Sequence, residues 1–228
     1  MGNSPLVEAA LLASNGARGN SKGANIMEII LPDAIKKASK SDWKQIRDIT
    51  ADAFSNDPFN LWIFGNTRPL KTLFGGFAKD VYLKNGFCHL SGDDAATMWA
   101  MPHANIDMPS STLLKLGIAQ KLHGTSGSIA RGMAAGAAME RGHPETPHVY
   151  LFTIGVRQAA QGKGLGKKML SPVLDAADRN NLPIYLENTN PQNNGFYAHF
   201  GFEKTGELDT APDAPVVSKM WRTPRAFT

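Results

Sequence analysis

Apolar residues in the first half of the chain recur at helical spacing, broken by one pair of short apolar runs. The first predicted helix begins at a cap, Ser41-Asp42, and ends at Asn56-Asp57-Pro58. Its evidence is the spacing of apolar residues three to five positions apart: Trp43, Ile46, Ile49 and Phe54. The same spacing predicts three more helices: residues 69–83, closed by Asn85-Gly86, 109–122, and 126–141. Between the first two of these lies a predicted hairpin, with strands 87–90 and 95–101 joined by a turn at 91–94.

The second half of the chain alternates between strand and helix patterns. Residues 148–156 form a long apolar run, 164–180 a helical pattern, and 183–187 a short buried strand. A short helix is predicted at 195–200, and a last hairpin turns around 212–215. Strands that alternate with helices predict an α/β fold with a mixed sheet and helices on its faces.

The N-terminal end of the chain differs in composition from the rest. Residues 1–25 are rich in Gly, Ser, Asn and Ala, a composition that seldom folds alone. The first patterned segment begins at Met27. We therefore expect a flexible N-terminal extension over residues 1–25 and a single domain over residues 26–228.

Composition and charge restrict the possible partners. The net charge of +4 comes from scattered basic residues, which favours an anionic small ligand over nucleic acid. No apolar run approaches the ~20 residues of a membrane span, so a cytoplasmic protein without a membrane partner is expected. The single cysteine, Cys88, excludes an internal disulfide and favours a buried core position over a catalytic thiol. No metal site is expected, because four of the six histidines lack metal-ligand spacing: His103, His123, His143 and His148.

A glycine-rich turn follows the long strand and begins a helix: Gln161, Gly162, Lys163, Gly164, Leu165 and Gly166. A diphosphate must approach several backbone N–H groups, and side chains beyond Cα would obstruct it. A Walker A loop needs Ser or Thr after Gly-Lys, yet Lys168 stands there. The dinucleotide fingerprint also fails, because its third glycine would fall on Lys167 or Met169. Either a pyrophosphate-binding turn of another kind or a helix start without a ligand remains.

Two spaced motifs resemble those of the GCN5-related N-acetyltransferase (GNAT) superfamily. Val156 with the turn 161–166 is similar to its acyl-CoA-binding motif, and Asn190, Phe196-Tyr197 and Gly201-Phe202 are similar to its second motif. The likeness covers residues 147–222. It implies an α/β (α+β) fold with a central mixed, mostly antiparallel sheet flanked by helices, and acetyl-CoA as cosubstrate.

A closer similarity is to the puromycin N-acetyltransferase-like branch. It is carried by residues 152–156, by Pro172, where that branch interrupts the helix, and by Leu186-Glu187. Gln158 and Ala160 depart from the superfamily, which often has Pro and an aromatic residue there, and this puts the loop shape in doubt.

The resemblance implies direct attack of an amine on the thioester, and the chemistry then suggests roles. Glu187 is the candidate base, with a solvated or acceptor-binding carboxylate as the alternative. Tyr197 is the candidate general acid, with an aromatic packed under the short helix as the alternative. Backbone donors of residues 151–156, including Ile154 and Val156 and splayed near Gly155, would pair with the pantetheine arm. Asn190 would contact the cofactor arm or fix the loop as a turn residue.

The acceptor is the least defined part of the prediction. Four aromatic residues are either its pocket wall or core: Phe54, Phe59, Trp62 and Trp99. The predicted function is acetyl transfer to a primary amine, most simply of a small molecule. The alternatives are a protein lysine or N-terminus as acceptor, or a non-catalytic acyl-CoA sensor. The protein is expected to be a monomer or homodimer.

Overall fold

The computed structural model describes residues 27–226, so the predicted extension, residues 1–25, lies outside the described residues. Its strands are β1 Lys36–Lys37, β2 Phe87–Ser91, β3 Ala95–Ala100, β4 Val149–Val156, β5 Ile184–Asn188, β6 Glu203–Glu207 and β7 Ser218–Arg222. Its helices are α1 Trp43–Ala53, α2 Pro58–Phe64, α3 Leu70–Gly76, α4 Ser110–His123, α5 Ser128–Gly142, α6 Leu165–Arg179 and α7 Asn194–His199. The helix that begins as α3 continues through a π segment, Phe77–Tyr82, to a last turn at Leu83–Asn85.

Within the described residues, seven strands form one sheet in the order β1-β2-β3-β4-β5-β7-β6. Only β4 and β5 pair in parallel, and every other neighbouring pair is antiparallel. This confirms the predicted mixed, mostly antiparallel sheet flanked by helices.

Side chains alternate between the two faces of the sheet, and each face has its own core. Tyr150 of β4 and Tyr185 of β5 belong to the cluster covered by α1, α2 and α3. Val149 and Ile184, their neighbours in sequence, belong to the cluster covered by α6 and α7. The sheet therefore separates an α1 face from an α6 face, and Cys88 is fully buried on the α1 face, as predicted.

Helix α2 was not predicted, because Asn56-Asp57-Pro58 was interpreted only as the end of α1. The same residues begin a new helix: the Asp57 Oδ1 accepts the Asn60 N–H at 2.8 Å, and Pro58 occupies the first helical turn. The expected interruption at Pro172 is wrong, since α6 continues through it. Pro172 is buried against the sheet, and this packing offsets the backbone hydrogen bond that proline cannot make.

Candidate functional site

The turn between β4 and α6 has the backbone that a diphosphate requires. Gly162 and Gly164 both have φ of +76°, a left-handed conformation that other residues adopt at a cost. A Cβ added at either glycine would meet nothing within 4 Å, so the space above the turn is open. The Lys168 N–H donates to the Gly164 carbonyl. The backbone amides of α6 that precede Lys168 have no carbonyl acceptor within the helix.

Charged and polar side chains around the turn either hold it in place or face solvent. The Gln161 Nε2 donates to the Val156 carbonyl at 3.1 Å, and the Lys163 Nζ donates to the Ala159 carbonyl at 3.2 Å. Lys167 and Lys168 are exposed at the first turn of α6, where the helix dipole also favours an anion. The open space, the free amides and the positive field together fit a diphosphate.

The remaining residues of the turn are packing positions. A Cβ at Gly166 would lie 3.3 Å from Cζ of Phe196, so glycine lets the turn approach α7 closely. Leu165 belongs to a small apolar cluster that contains Met169, together with Ile154 and Val156 of β4.

The loop before the turn has a defined shape despite its departures from the superfamily pattern. Gln158–Ala160 form a single 3₁₀ turn. The Gln158 backbone N–H donates to the Asp52 Oδ2 at 2.9 Å, and its side chain donates to the Ser55 hydroxyl. Ala160 is buried. Gln158 therefore fastens this loop to the end of α1.

Strands β4 and β5 diverge early, which opens a gap in the sheet. They pair only at Val149 with Ile184 and Tyr150 with Tyr185, although β4 continues to Val156. The backbone groups of β4 that point away from β3 beyond Tyr150 therefore face the gap rather than a strand.

The splay was expected near Gly155, and that position is wrong. Gly155 pairs with Ala96 of β3, and a Cβ there would lie 3.2 Å from the Ala53 Cβ and 3.3 Å from the Thr50 Cα. Gly155 therefore allows α1 to pack closely on β4. The irregularity of β4 is a β-bulge at Phe152, since Leu151 opposes Trp99 and Thr153 opposes Met98.

Glu187 lies near the end of β5 on the α1 face, with its side chain only 4% exposed. The Tyr150 hydroxyl donates to the Glu187 Oε2 at 2.6 Å. The other oxygen, Oε1, is buried and has no hydrogen-bond partner of ordinary geometry among residues 27–226, although the Tyr185 hydroxyl interacts with this carboxylate and the His143 Nδ1 lies 3.9 Å from Oε1. A buried carboxylate oxygen without a close partner is destabilising unless a ligand or water satisfies it, so Oε1 is a candidate contact for a ligand.

Aromatic residues that were not singled out surround this carboxylate. The rings of Tyr150 and Tyr185 stack at 6.0 Å, and the His143 ring packs edge-on against both. Burial first, and then the Glu187 charge, raise the pKa values of both hydroxyls, so they stay neutral donors. The π segment brings a third phenol, Tyr82, which is raised in pKa for the same reasons. The sequence contained a signal for this arrangement. Tyr150 and Phe152 are two positions apart in one predicted strand, and Tyr185 and Glu187 are two positions apart in the next, so the members of each pair lie on the same face of their strand.

Tyr197 lies in α7 on the α6 face of the sheet and is 9% exposed. Its ring packs against Phe196 and Phe202. Burial, followed by the charge of Asp57, raises the pKa of the Tyr197 hydroxyl, so this group stays protonated. Asp57 also accepts the Thr189 hydroxyl at 2.6 Å, so the start of α2 is joined to the residue that follows β5. This influence of Asp57 on Tyr197 was not apparent from the sequence, because 140 positions separate them.

Asn190 acts as a turn residue. Its Oδ1 accepts the Gln192 N–H at 3.1 Å and caps the 3₁₀ turn Pro191–Asn193. Of the two roles predicted for Asn190, this contact corresponds to fixing the loop. A contact of Asn190 with the cofactor arm remains a prediction.

The four aromatic candidates for the acceptor wall separate into core and surface. Trp99 is fully buried on the α6 face and Phe59 is buried on the α1 face, so both are core. Phe54 packs against Phe74. Trp62 is partly exposed, stacks on Phe59 at 5.6 Å, and donates its Nε1 hydrogen to Asp213 at 3.1 Å.

Residues 27–226 contain neither a metal-binding cluster nor a helix suited to cross a membrane. No three or more His, Cys, Asp or Glu side chains within that range are grouped so as to hold a metal ion. In the same part of the chain, no helix combines the length and apolarity that a membrane crossing needs.

Comparison with known proteins shows a family likeness over the part of the chain that contains the candidate site. The Acetyltransferase (GNAT) family matches residues 116–202, a range that includes the glycine turn, Glu187 and Tyr197. An uncharacterized N-acetyltransferase of Schizosaccharomyces pombe is 27% identical over 186 residues, which cover 74% of each chain.

Solved structures share the fold. A histone acetyltransferase HPA2 and related acetyltransferase from Corynebacterium glutamicum superposes with a TM-score of 0.63 at 24% identity, over 86% of this chain and 98% of the other. Arylalkylamine N-acetyltransferase 2 from Aedes aegypti superposes with a TM-score of 0.51 at 14% identity, over 84% of this chain and 98% of the other. At these identities the superpositions establish the fold alone.

Proposed function

Because the chain belongs to the GNAT superfamily of acetyltransferases, we propose that it transfers an acetyl group from acetyl-CoA to a primary amine in a ternary complex. The observation that carries this proposal is the divergence of β4 from β5 after Tyr150. The gap leads from the glycine turn, beyond the end of β4, to Glu187 on β5. Membership of the puromycin N-acetyltransferase-like branch remains a prediction.

The donor would bind along β4. The amides around Gly162 and Gly164 would hold the diphosphate, and the gap-facing backbone of Ile154 and Val156 would pair with the pantetheine arm. Acetyl-CoA supplies the activated acyl group as a thioester.

Glu187 would act as the base. An alkyl amine is mostly protonated at neutral pH, with a pKa of ~10, so an acceptor must lose a proton before or during attack. The buried Oε1 is a free acceptor for that proton, while the Tyr150 hydroxyl fixes the other oxygen and the orientation of the carboxylate.

Tyr197 would act as the acid from the opposite side. Glu187 belongs to the α1 face and Tyr197 to the α6 face, so an acyl group in the gap would have the base on one side and the proton donor on the other. The raised pKa of Tyr197 keeps the proton on the hydroxyl but makes it a weak acid. A thiolate of pKa ~8.5 leaves fairly well unaided, so the expected contribution is small.

The acceptor is proposed to be a small molecule rather than a folded protein. The β6–β7 connection is tied to α2, since Trp62 bonds Asp213, and to α5, since the Arg141 guanidinium bonds the Asp209 carbonyl at 3.3 Å. Leu208 packs so closely on Gly142 that a Cβ there would lie 2.4 Å from the leucine Cδ2. These ties narrow the approach to Glu187 from the α2 side.

The test is steady-state thiol release from acetyl-CoA with a panel of small primary amines beside lysine-containing and free N-terminal peptides. Glu187→Gln should lower kcat by ~10²–10⁴-fold, and Tyr197→Phe by about tenfold, with acetyl-CoA affinity retained in both. Glu207→Gln is the matched control, since Glu207 is an exposed residue paired with Lys204. Acetyl-CoA binding without turnover on any amine would support the sensor alternative, and full activity of Glu187→Gln would remove that residue from the chemistry.

A further inference from the structure

We propose that His143 relays the proton taken up by Glu187 to solvent in a cavity beside β4, a step that rests on the proposed function. The cavity has a volume of about 210 Å³. Its wall includes these side chains: His103, Ile106, His143, Thr146, His148 and Tyr150.

The relay answers a problem created by burial. Glu187 is 4% exposed, so a proton on its carboxyl has no direct way to bulk water. His143 is 31% exposed, and its Nδ1 lies 3.9 Å from the unpartnered Oε1. The two atoms are within ion-pair range but beyond hydrogen-bond distance, and the same ring lines the cavity. His143 therefore lies between the buried carboxylate and the cavity.

The position of His143 in the chain places its ring beside Glu187. His143 is the C-cap of α5, a 15-residue helix that ends next to β5. The ring is also held in place, because Tyr150 and Tyr185 both pack edge-on against it, with centroids at 4.9 and 5.4 Å.

The other titratable groups around His143 do not compete for this proton. Burial lowers the pKa of His148, and the hydrogen bond from its Nδ1 to the Thr146 carbonyl at 2.7 Å offsets this only in part. The neighbouring phenols are raised in pKa by burial and by Glu187. The groups that face or share the cavity with His143 are these: Tyr82, Tyr150, Tyr185, Glu187, His148, His103 and Glu145.

The proton balance is simple. As the N–C bond to the acetyl group forms and the C–S bond of the thioester breaks, the attacking nitrogen of the neutral amine loses a proton to Glu187, which becomes a neutral carboxylic acid. Glu187 passes this proton to the neutral His143 ring and returns to the carboxylate. The resulting imidazolium releases a proton to water in the cavity, so both residues regain their starting charges. The departing thiolate takes a proton from Tyr197, and Tyr197 regains one from water.

Chemical rescue tests the relay. His143→Ala should lower kcat about tenfold and leave the KM for acetyl-CoA unchanged, and free imidazole should restore kcat in a saturable way, because the truncation opens the cavity towards Glu187. His148→Ala is the matched control: whatever its own loss, imidazole should not restore it, since His148 does not contact the carboxylate. His143→Gln guards against a folding defect; it should show the same loss with an unchanged melting temperature. A wild-type kcat in His143→Gln, or no rescue of His143→Ala by imidazole, would overturn the relay. If Glu187→Gln is impaired in the same assay, the proposed function still stands.

Discussion

Replacing Gly164 by alanine tests the proposed donor site with a single methyl group. Gly164 has φ of +76°, and a Cβ at this position would have no atom within 4 Å, so the added methyl would enter the open space above the turn. Gly92 provides a matched control. It has φ of +50° in the β2–β3 turn, and a Cβ there also meets nothing within 4 Å.

Both variants should lose similar stability. An L-residue in the left-handed region costs about 1–2 kcal/mol, and in neither variant does a steric clash add to it. For a protein of this size, 1 kcal/mol corresponds to a melting-temperature shift of roughly 2–4 °C. Both proteins should therefore remain folded at 25 °C.

Only Gly164→Ala should lose affinity for acetyl-CoA. The methyl would push the diphosphate away from one of the turn amides, and a hydrogen bond to a charged group contributes about 1.5–3 kcal/mol. The Kd should rise by about 10- to 150-fold, whereas Gly92→Ala should bind as the wild type does.

Calorimetric titration with acetyl-CoA, beside thermal melting of the same samples, measures both quantities. Equal Kd values for the two variants would refute the assignment of the glycine turn as the diphosphate site. Loss of binding in both would show that backbone strain, rather than the position of the methyl group, controls affinity.

Three further predictions concern stability and reactivity. Asp178→Asn should destabilise the fold by about 2 kcal/mol, because Asp178 receives two bonds, at 2.7 and 2.6 Å, from the buried Arg222 guanidinium. Burial raises the pKa of Asp178, but Arg222 and Arg225 hold this pKa below its usual value. The stability that Asp178 contributes is therefore present above the unfolded-state pKa and is lost as pH falls through the folded-state pKa. Melting temperatures of the wild type and the variant should converge at that low pH. Burial raises the pKa of Cys88 to about 12, so a thiol reagent at pH 8 should modify it only in denaturant, and rapid labelling of the native protein would contradict its burial. A chain beginning at Met27 should melt within a few degrees of the full chain, because Met27 is itself buried in the core, and a large drop would show that residues 1–26 stabilise the fold.

The local sequence was enough to predict most elements and the glycine turn. Helix α1 and the β2–β3 hairpin depend on spacing and turn residues that act within a few positions, and so does the start of α6 at Gly164. The left-handed φ of Gly162 and Gly164 also follows from local chemistry, since glycine adopts it without penalty. These features needed no knowledge of what packs against them.

The neighbours of the candidate catalytic groups were decided by the tertiary structure. Glu187 is bonded by Tyr150 and approached by His143, from two other elements, because β4 and β5 are adjacent and α5 ends beside them. Asp57 lies next to Tyr197 for a similar reason, since the start of α2 meets the loop after β5. Gly155 had been interpreted as a local irregularity, yet it serves the close packing of α1 on β4. Each of these contacts joins residues distant in sequence, and no local propensity encodes which strands and helices become neighbours. The sequence therefore pointed to the candidate catalytic groups, while the fold determined their partners.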